Sequence, residues 1–361
     1  MVHTMFPCLP SRSSVVLAVL MACLPVWAET DVLKRPAPTL KSDRVAASLM
    51  TAMARTGNRA LAVGERGLIV ASDDGGKTWQ QVPVPVAVTL TGISFSDAKT
   101  AWVVGHGGTL LRSQDRGQSW VAVLDGRQAA EMVLKAASLP ELDPRFRADA
   151  ERLVADGPDK PFLNVQFFDA KRGLVVGAYG LIFGTSDGGA SWQPLLHNID
   201  NPKGAHLYGI LEDVGEVWLS GEQGSLFVSR DAGKRFEAVS TPYQGTYFGI
   251  AAAGGNLIAY GMRGNAYWSA DRGRTWQKSE LPSGNSLTSG VVTQAGHLFL
   301  VDDGGNGYVS VDGGRHFQKA AMRKLPPLTA VIELGERQFI FAGARGLNQE
   351  TLAVQAATGT Q

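Results

Sequence analysis

Short apolar segments alternate with polar, glycine-containing turns from residue 45 to residue 352. In one unit, apolar or β-branched segments at Leu90–Phe95, Ala101–Val104, Thr109–Arg112 and Ser119–Leu124 are separated by turn residues. Segments of four to six residues bounded by Gly, Asp and Ser are typical of strands rather than helices. This unit therefore predicts a small antiparallel sheet of four strands.

A corner motif, (S/T)-x-D-x-G-x-x-(W/F), recurs six times between the third and fourth strands of such units. Its aspartate can accept backbone N–H bonds across a tight turn, its glycine can take a positive φ, and its aromatic ring can pack on the hairpin. The aspartates are Asp74, Asp115, Asp187, Asp231, Asp271 and Asp312. Six copies at one structural position favour a structural role over a catalytic one.

The spacing of the corners predicts the architecture. They end at Trp79, Trp120, Trp192, Phe236, Trp276 and Phe317, with successive spacings of 41, 72, 44, 40 and 41 residues. A period of ~40–50 residues is typical of four-stranded propeller blades. Six units cover 45–82, 90–124, 162–195, 207–239, 247–278 and 287–319, and a seventh without a corner begins at Leu328. We therefore predict an all-β, seven-bladed β-propeller over residues 29–361.

Two segments depart from the repeat. We expect about Thr30–Arg35 to add an outer strand to the last blade, because such a closing strand removes a free sheet edge. Asp125–Lys160 has helical periodicity, with Asp143-Pro144 as a helix start and Gly157-Pro158 as a stop. We predict a helical insertion at 125–160 between the second and third blades, either packed on the propeller or serving as a lid or partner-binding arm.

A second motif, G-x-x-G, recurs between the second and third strands and indicates two-residue hairpin turns. In a four-stranded blade these turns lie on the face opposite the corners. The variable residues that we expect to form a ring on that face are Arg66, His106, Tyr179, Gln223, Arg263 and Arg345. Three arginines with His and Tyr on one rim suit carboxylate groups or an acidic peptide. The alternative is that hairpin tips simply carry solvated polar residues.

The first 28 residues have the features of a secretory signal peptide. Arg12 precedes an apolar run at Ser13–Leu24, and Val26-Trp27-Ala28 is a small-x-small cleavage site. The run is shorter than a membrane span. A lipoprotein signal with Cys23 as the anchor is the weaker alternative, since Leu20-Met21-Ala22-Cys23 matches a lipobox only loosely. We expect an exported, periplasmic protein with no membrane span after cleavage.

Composition narrows the possible chemistry. Both cysteines, Cys8 and Cys23, lie in the signal, so the processed chain has no disulfide or thiol chemistry. A net charge of +1 gives no reason to expect nucleic acid as a partner. The histidines lack metal-ligand spacing, and Asp302-Asp303-Gly304-Gly305-Asn306 lacks the distal glutamate of a calcium loop. We expect no metal and no cofactor.

An enzyme is the main alternative, because sialidases and other glycoside hydrolases share the aspartate corner. Arg66, Arg263 and Arg345 occupy hairpin tips rather than the inner strands where a sialidase triad would lie. Glu212 and Asp213 are adjacent and would point to opposite faces of a strand, whereas glycosidases need a facing pair of carboxylates. We expect no catalytic residues.

The repeated unit resembles that of the photosystem II assembly and stability factors of plants and cyanobacteria. The likeness is best from Thr89-Leu90-Thr91-Gly92-Ile93-Ser94-Phe95 through Trp120 and extends over essentially the mature chain. This resemblance implies a seven-bladed, non-enzymatic propeller that binds a membrane protein during assembly through an arginine-rich face. Only Arg66, Arg263 and Arg345 match that patch by position, and the insertion at 125–160 is outside the basic pattern.

We therefore expect an exported assembly factor or protein-binding scaffold for a membrane or envelope protein, acting as a monomer. Its ligand would be an acidic or C-terminal peptide segment. An accessory role in an envelope transporter is an alternative for the partner, and a glycoside hydrolase or sialidase is the alternative class.

Overall fold

The computed structural model describes residues 31–140, 142–335 and 337–352, which contain seven antiparallel sheets. Blade 1 contains β1 (Met50–Thr56), β2 (Arg59–Gly64), β3 (Ile69–Ser72) and β4 (Gln80–Gln81); blade 2 contains β5 (Leu90–Phe95), β6 (Ala101–Gly105), β7 (Thr109–Ser113) and β8 (Val121–Leu124). Blade 3 contains β9 (Phe162–Phe167), β10 (Gly173–Gly177), β11 (Ile182–Thr185) and β12 (Gln193–Pro194); blade 4 contains β13 (Leu207–Asp213), β14 (Glu216–Gly221), β15 (Leu226–Ser229) and β16 (Glu237–Val239). Blade 5 contains β17 (Tyr247–Ala253), β18 (Asn256–Gly261), β19 (Ala266–Ser269) and β20 (Gln277–Lys278); blade 6 contains β21 (Leu287–Val292), β22 (Leu298–Asp302), β23 (Gly307–Ser310) and β24 (Gln318–Lys319). Blade 7 contains β25 (Leu328–Gly335), β26 (Gln338–Gly343) and β27 (Gly346–Thr351).

The innermost strands make the blades into a closed ring. Each one contacts the innermost strand of the next blade, and β25 contacts β1. Side chains reinforce these joints: the Thr51 hydroxyl donates to the Leu90 carbonyl across the joint of blades 1 and 2, at 2.6 Å. The Thr329 hydroxyl donates to the Met50 carbonyl, also at 2.6 Å, where blade 7 meets blade 1. The predicted seven-bladed all-β propeller is confirmed.

Each aspartate corner also packs on the blade before it. A methyl group added at Gly189 of blade 3 would lie 2.2 Å from the Trp102 ring of blade 2. One added at Gly273 of blade 5 would lie 2.5 Å from the Trp218 ring of blade 4. The corner glycines Gly76, Gly117, Gly233 and Gly314 face side chains at the same strand position of their preceding blades. The corners therefore join neighbouring blades as well as closing hairpins.

The predicted closing strand is wrong for the described residues Asp31–Arg35, which form turns rather than a strand. Ala87 N–H donates to the Val32 carbonyl, and Leu33 is buried among valines of the connection between blades 1 and 2. An apolar side chain in a short, proline-flanked segment gains more from this existing cluster than from extending a distant edge. Within the described residues, blade 7 has three strands.

Two helices form the insertion between blades 2 and 3. A short helix, α1 (Ser42–Val45), precedes blade 1, and the insertion contains α2 (Gly126–Ala137) and α3 (Pro144–Asp156). Asp125 caps α2 with a capping box, and the Asp143 carboxylate accepts from the Arg145 N–H at the start of α3. α2 contacts β12 and the turn at residues 106–108, and its buried Ala129 and Val133 belong to one hydrophobic cluster with Trp102 and Phe162, so the insertion lies against the propeller.

Candidate partner-binding face

The turns between the second and third strands, called tip turns below, share one anchoring hydrogen bond. The second residue of each tip turn donates its N–H to the carbonyl just before the innermost strand of the same blade. The seven pairs are Glu65 to Leu49, His106 to Thr89, Ala178 to Pro161, Glu222 to His206, Met262 to Thr246, Asp303 to Ser286 and Ala344 to Pro327. A methyl group added at Gly64 would lie 2.1 Å from the Leu49 oxygen, so this close approach explains the first glycine of the motif.

Most tip turns are longer than the two-residue turns that the motif indicated. Four of them, in blades 1, 2, 3 and 5, are single turns of 3-10 helix, and the tip of blade 4 is a turn without 3-10 helix. In four tip turns, a residue other than glycine at the third position has a left-handed backbone. Those four residues are Arg66, Tyr179, Gln223 and Arg263, with φ of 54–57°. In blade 2 the left-handed position is Gly107, so His106 lies one place earlier than its supposed equivalents. Arg345 lies in a two-residue turn between β26 and β27.

All six residues of the predicted ring are exposed, one at the tip of each of six blades. They therefore lie on one face around the axis, called the tip face below. Among the described residues, no carboxylate pairs with Arg66, Arg263 or Arg345. Three guanidinium groups without an intramolecular carboxylate are available to bind an anionic group.

The insertion adjoins two of the six tips. α2 contacts the tip turn that contains His106. The Lys160 ammonium lies 5.0 Å from the centre of the Tyr179 ring, and the His206 ring packs on Tyr179 at 4.9 Å. Lys160 is in turn held by the carboxylates of the insertion, with its Nζ 3.1 Å from an Asp156 oxygen. The arginine tips of blades 5, 7 and 1 have no such neighbour from the insertion among the described contacts.

The aromatic residues near this face differ in exposure. Tyr208 and Phe248 are half-buried and pack edge to face with ring centres 5.4 Å apart. Tyr247, in contrast, is fully buried against Tyr243 and Tyr267, and burial raises the pKa of its hydroxyl. Tyr247 therefore contributes to the core rather than to the tip face.

Blade 6 has a tip that the sequence pattern did not explain. Asp302 stands where the other six blades have the first glycine, and its side chain is fully buried. Its carboxylate accepts hydrogen bonds from the Tyr308 hydroxyl at 2.8 Å and the Asn306 N–H at 2.9 Å. In the sequence, the replacement of glycine by Asp302 is the only sign that this tip differs. The hydrogen-bond partners of Asp302 are evident only from the structure.

The six corner aspartates form one repeated hydrogen-bond pattern on the opposite face. In blade 3, the Thr185 hydroxyl donates to Asp187 Oδ1 at 2.8 Å and accepts from the Gly189 N–H at 2.9 Å. The Ser191 hydroxyl donates to Asp187 Oδ2 at 2.6 Å and lowers the pKa of Asp187 to about 2. The Thr275 hydroxyl does the same to Asp271, whose pKa is also about 2. Such carboxylates stay ionised and bound to their own loops, which does not suit a general acid.

The adjacent carboxylates Glu212 and Asp213 point to different blades. Glu212 Oε1 pairs with Arg172 of blade 3 at 3.0 Å, and Asp213 pairs with Arg272 of blade 5. They do not face each other across a shared site. In the part of the chain that the structure describes, no three His, Cys, Asp or Glu side chains are grouped as metal ligands.

No helix among the described residues is long and apolar enough to cross a membrane.

Comparison with known proteins identifies the family. The family model described as photosynthesis system II assembly factor YCF48 matches residues 39–129 and 152–326, and the gap between the matches falls in the insertion. The photosystem II assembly lipoprotein Ycf48 of Synechococcus sp. (strain CC9902) is 29% identical over 120 residues, 32% of this chain and 36% of that protein. The chloroplastic photosystem II stability/assembly factor HCF136 of Arabidopsis thaliana is 24% identical over 265 residues, 60% of this chain and 65% of that protein. The chain thus spans less than two thirds of either relative.

A solved structure, YCF48 bound to D1 peptide, superposes with a TM-score of 0.63 over 86% of this chain and 95% of that one, at 17% identity. At this identity the superposition supports the fold alone. The family match covers well over half of the residues, including all or part of blades 1 to 6. The chain therefore belongs to the YCF48 family of photosystem II assembly factors.

Proposed function

We propose that this protein is an exported, non-enzymatic propeller that binds a membrane or envelope protein while that protein is assembled. The observation that carries the proposal is the ring of six exposed side chains on hydrogen-bonded tip turns of one face. Rigid turns present these side chains with little loss of conformational freedom on binding. Family membership supports the same reading, since the relatives are assembly factors.

The ligand class that suits this face is an acidic or C-terminal peptide segment of the partner. Arg66, Arg263 and Arg345 can each form paired hydrogen bonds to a carboxylate, and Tyr179 adds a half-exposed aromatic surface. A peptide-bound relative of the same fold makes this class reasonable. The insertion adjoins the tips of blades 2 and 3, so we expect the arginine tips of blades 5, 7 and 1 to provide most of the contacts.

The test measures binding of a fluorescent acidic peptide with a free C-terminal carboxylate, against the same peptide with Asn and Gln in place of Asp and Glu. Arg66→Glu with Arg263→Glu should weaken binding of the acidic peptide at least about tenfold, or about 1.4 kcal/mol. Lys77→Glu with Arg274→Glu is the matched control, because it makes the same charge change at exposed positions of the opposite face. If both pairs of substitutions weaken peptide binding equally, the net charge of the protein alone explains the binding, and the assignment of the tip face is overturned.

We also propose that the chain has no hydrolytic activity. The support is the separation of Glu212 from Asp213 and the ionised, loop-bound state of the corner aspartates. Purified protein should release no product from sialosides or β-glucans, and turnover that is lost on mutating Glu212 would contradict the proposal.

For localisation, we propose export with removal of residues 1–28 and action as a monomer. These residues lie outside the described part of the chain, and the Synechococcus relative is a lipoprotein. Intact mass measurement of the protein from the envelope fraction distinguishes a chain that begins at Glu29 from one lipidated at Cys23. Mass photometry of the same sample tests the monomer.

A further inference from the structure

Asp302 is the one exception to a glycine position that the other six blades share. At the first position of the tip turn they have glycine, because a side chain there would collide with the carbonyl before the innermost strand. Blade 6 has an aspartate at this position, and its side chain is fully buried. A buried carboxylate is costly unless hydrogen bonds satisfy it, so its retention requires an explanation from its partners.

The partners of Asp302 come from its own tip turn, from the connection between blades 5 and 6, and from β23, whose Tyr308 hydroxyl donates to Oδ2 at 2.8 Å. Within its own tip turn, Gly304 N–H, Asn306 N–H and the Asn306 side chain donate to Oδ1 at 2.9–3.1 Å. From the connection between blades 5 and 6, Ser283 Oγ donates to Oδ2 at 3.0 Å and Asn285 Nδ2 at 3.2 Å. The carboxylate therefore joins the blade 6 tip to residues 283–286.

The same connection supports the tip of blade 5. Gly264 lies so close to the Ser283 carbonyl that an added methyl group would be 2.0 Å from its oxygen. The Arg263 N–H points to Ser286 Oγ at 3.5 Å, and the Ser286 N–H donates to Asp303 Oδ1 at 3.0 Å. Arg263 itself has a left-handed backbone, which needs such support in a residue other than glycine.

We propose that Asp302 is a positioning residue for the tip face: through Ser283 and Asn285 it fixes the connection against which the Arg263 turn packs. It does not touch the peptide; it acts through the backbone of Arg263. The inference rests on the proposed function, because it assigns Arg263 to the peptide site.

A double-mutant cycle tests the link. Asp302→Asn removes the charge and places an amide N–H donor where a carboxylate oxygen now accepts hydrogen bonds from Ser283, Asn285 and Tyr308. It should weaken binding of the acidic peptide about tenfold in the wild-type background. In an Arg263→Ala background it should cause no further loss. Ser283→Ala is a milder variant that removes one bond without altering the buried charge, and it should show the same dependence on Arg263. The control is Asp312→Asn, a corner aspartate on the opposite face, which should leave peptide affinity unchanged.

Limited proteolysis gives a readout that does not depend on peptide binding. Trypsin should cleave after Arg263 at least about fivefold faster in Asp302→Asn and Ser283→Ala than in wild type, with cleavage after Arg66 and Arg345 unchanged. If the wild-type protein binds no acidic peptide, the proposed function fails and the cleavage rates alone decide the inference. Unchanged cleavage after Arg263, or an affinity loss that persists in Arg263→Ala, would overturn the positioning role.

Discussion

At the scale of single residues, the corner aspartates show how one carboxylate can organise a turn. The residue four positions after the aspartate donates its backbone N–H to the carboxylate in all six corners, and in four of them a hydroxyl of that residue donates as well. In blade 6 this residue is His316, whose Nδ1 lies 2.6 Å from Asp312 Oδ2. One corner therefore contains a group that titrates near neutral pH.

This substitution predicts a pH dependence of stability. The hydrogen bond to Asp312 raises the pKa of His316 above its usual 6.5. Because the pKa is higher in the folded state, protonation of His316 stabilises the folded protein. This stabilisation is fully present below about pH 6.5 and is lost as the pH rises through the folded-state pKa. Urea unfolding, followed by tryptophan fluorescence, should show that wild type loses more stability between pH 6 and pH 8.5 than His316→Thr does.

The reciprocal change provides the control. Thr275→His places histidine in the blade 5 corner, beside Asp271, and should introduce a similar dependence there. If His316→Thr and wild type lose stability in parallel across this range, the ion pair with Asp312 does not contribute in solution.

At the scale of elements, the corner and the strand of the preceding blade form one packed unit. Trp102 is fully buried, stacks on Phe167 with ring centres 5.0 Å apart, and packs edge to face on Trp192 at 5.6 Å. The glycine of the blade 3 corner lies against this indole, which cannot move aside. The blade 4 corner is looser, since a methyl group on Gly233 would meet Leu174 only at 3.8 Å.

This difference predicts unequal costs for the same substitution. Gly189→Ala should lower the free energy of unfolding by about 2–4 kcal/mol, from overpacking on Trp102 together with backbone strain at φ 77°. Gly233→Ala introduces the same backbone strain without a steric overlap, so it should lower the free energy of unfolding by only about 1 kcal/mol. Chemical denaturation of both variants tests the comparison, and equal losses would mean that backbone strain alone decides the cost.

The elements of the fold differ in how well the sequence predicts them. Blades 2, 4, 5 and 6 begin and end at the residues that the pattern predicts, because apolar alternation and the corner motif mark both limits. The closing strand could not be predicted, since the place where Leu33 is buried depends on a valine cluster about 50 residues later in the chain. The conformation of each tip turn depends on a hydrogen bond to a carbonyl outside the turn. The role of Asp302 depends on a connection about 20 residues earlier in the chain. Neither feature could therefore be predicted from a local sequence pattern.

At the scale of the whole molecule, the ring has seven joints that are not equivalent. Six joints have an aspartate corner packed on the preceding blade, including the joint where blade 1 meets blade 7 through Gly76 and Ile340. At the joint of blades 6 and 7, Phe299 occupies the receiving position, and no corner covers it among the described residues. A groove lined by Phe299, Val309, Phe339 and Leu352 lies there instead.

Hydrogen exchange should report this inequality. In the described structure β27 pairs with β26 on one side only, whereas β23 of blade 6 pairs on both sides. We expect amides of β27 to exchange faster than those of β23, because an edge strand opens without breaking a second ladder. Equal protection of the two strands would mean that a segment outside the described residues covers the edge of blade 7.

The joint of blades 6 and 7, which no corner covers among the described residues, lies between two of the arginine tips. Arg263 belongs to blade 5 and Arg345 to blade 7, so the joint of blades 6 and 7 separates them, whereas Arg345 and Arg66 are on blades joined by a packed corner. Loosening at this one position would change the span from Arg263 to Arg345 and leave the span from Arg345 to Arg66 constant. The tip face would then present Arg345 and Arg66 at a fixed spacing and Arg263 at a variable distance from them. Such a face could accommodate anionic segments of different length.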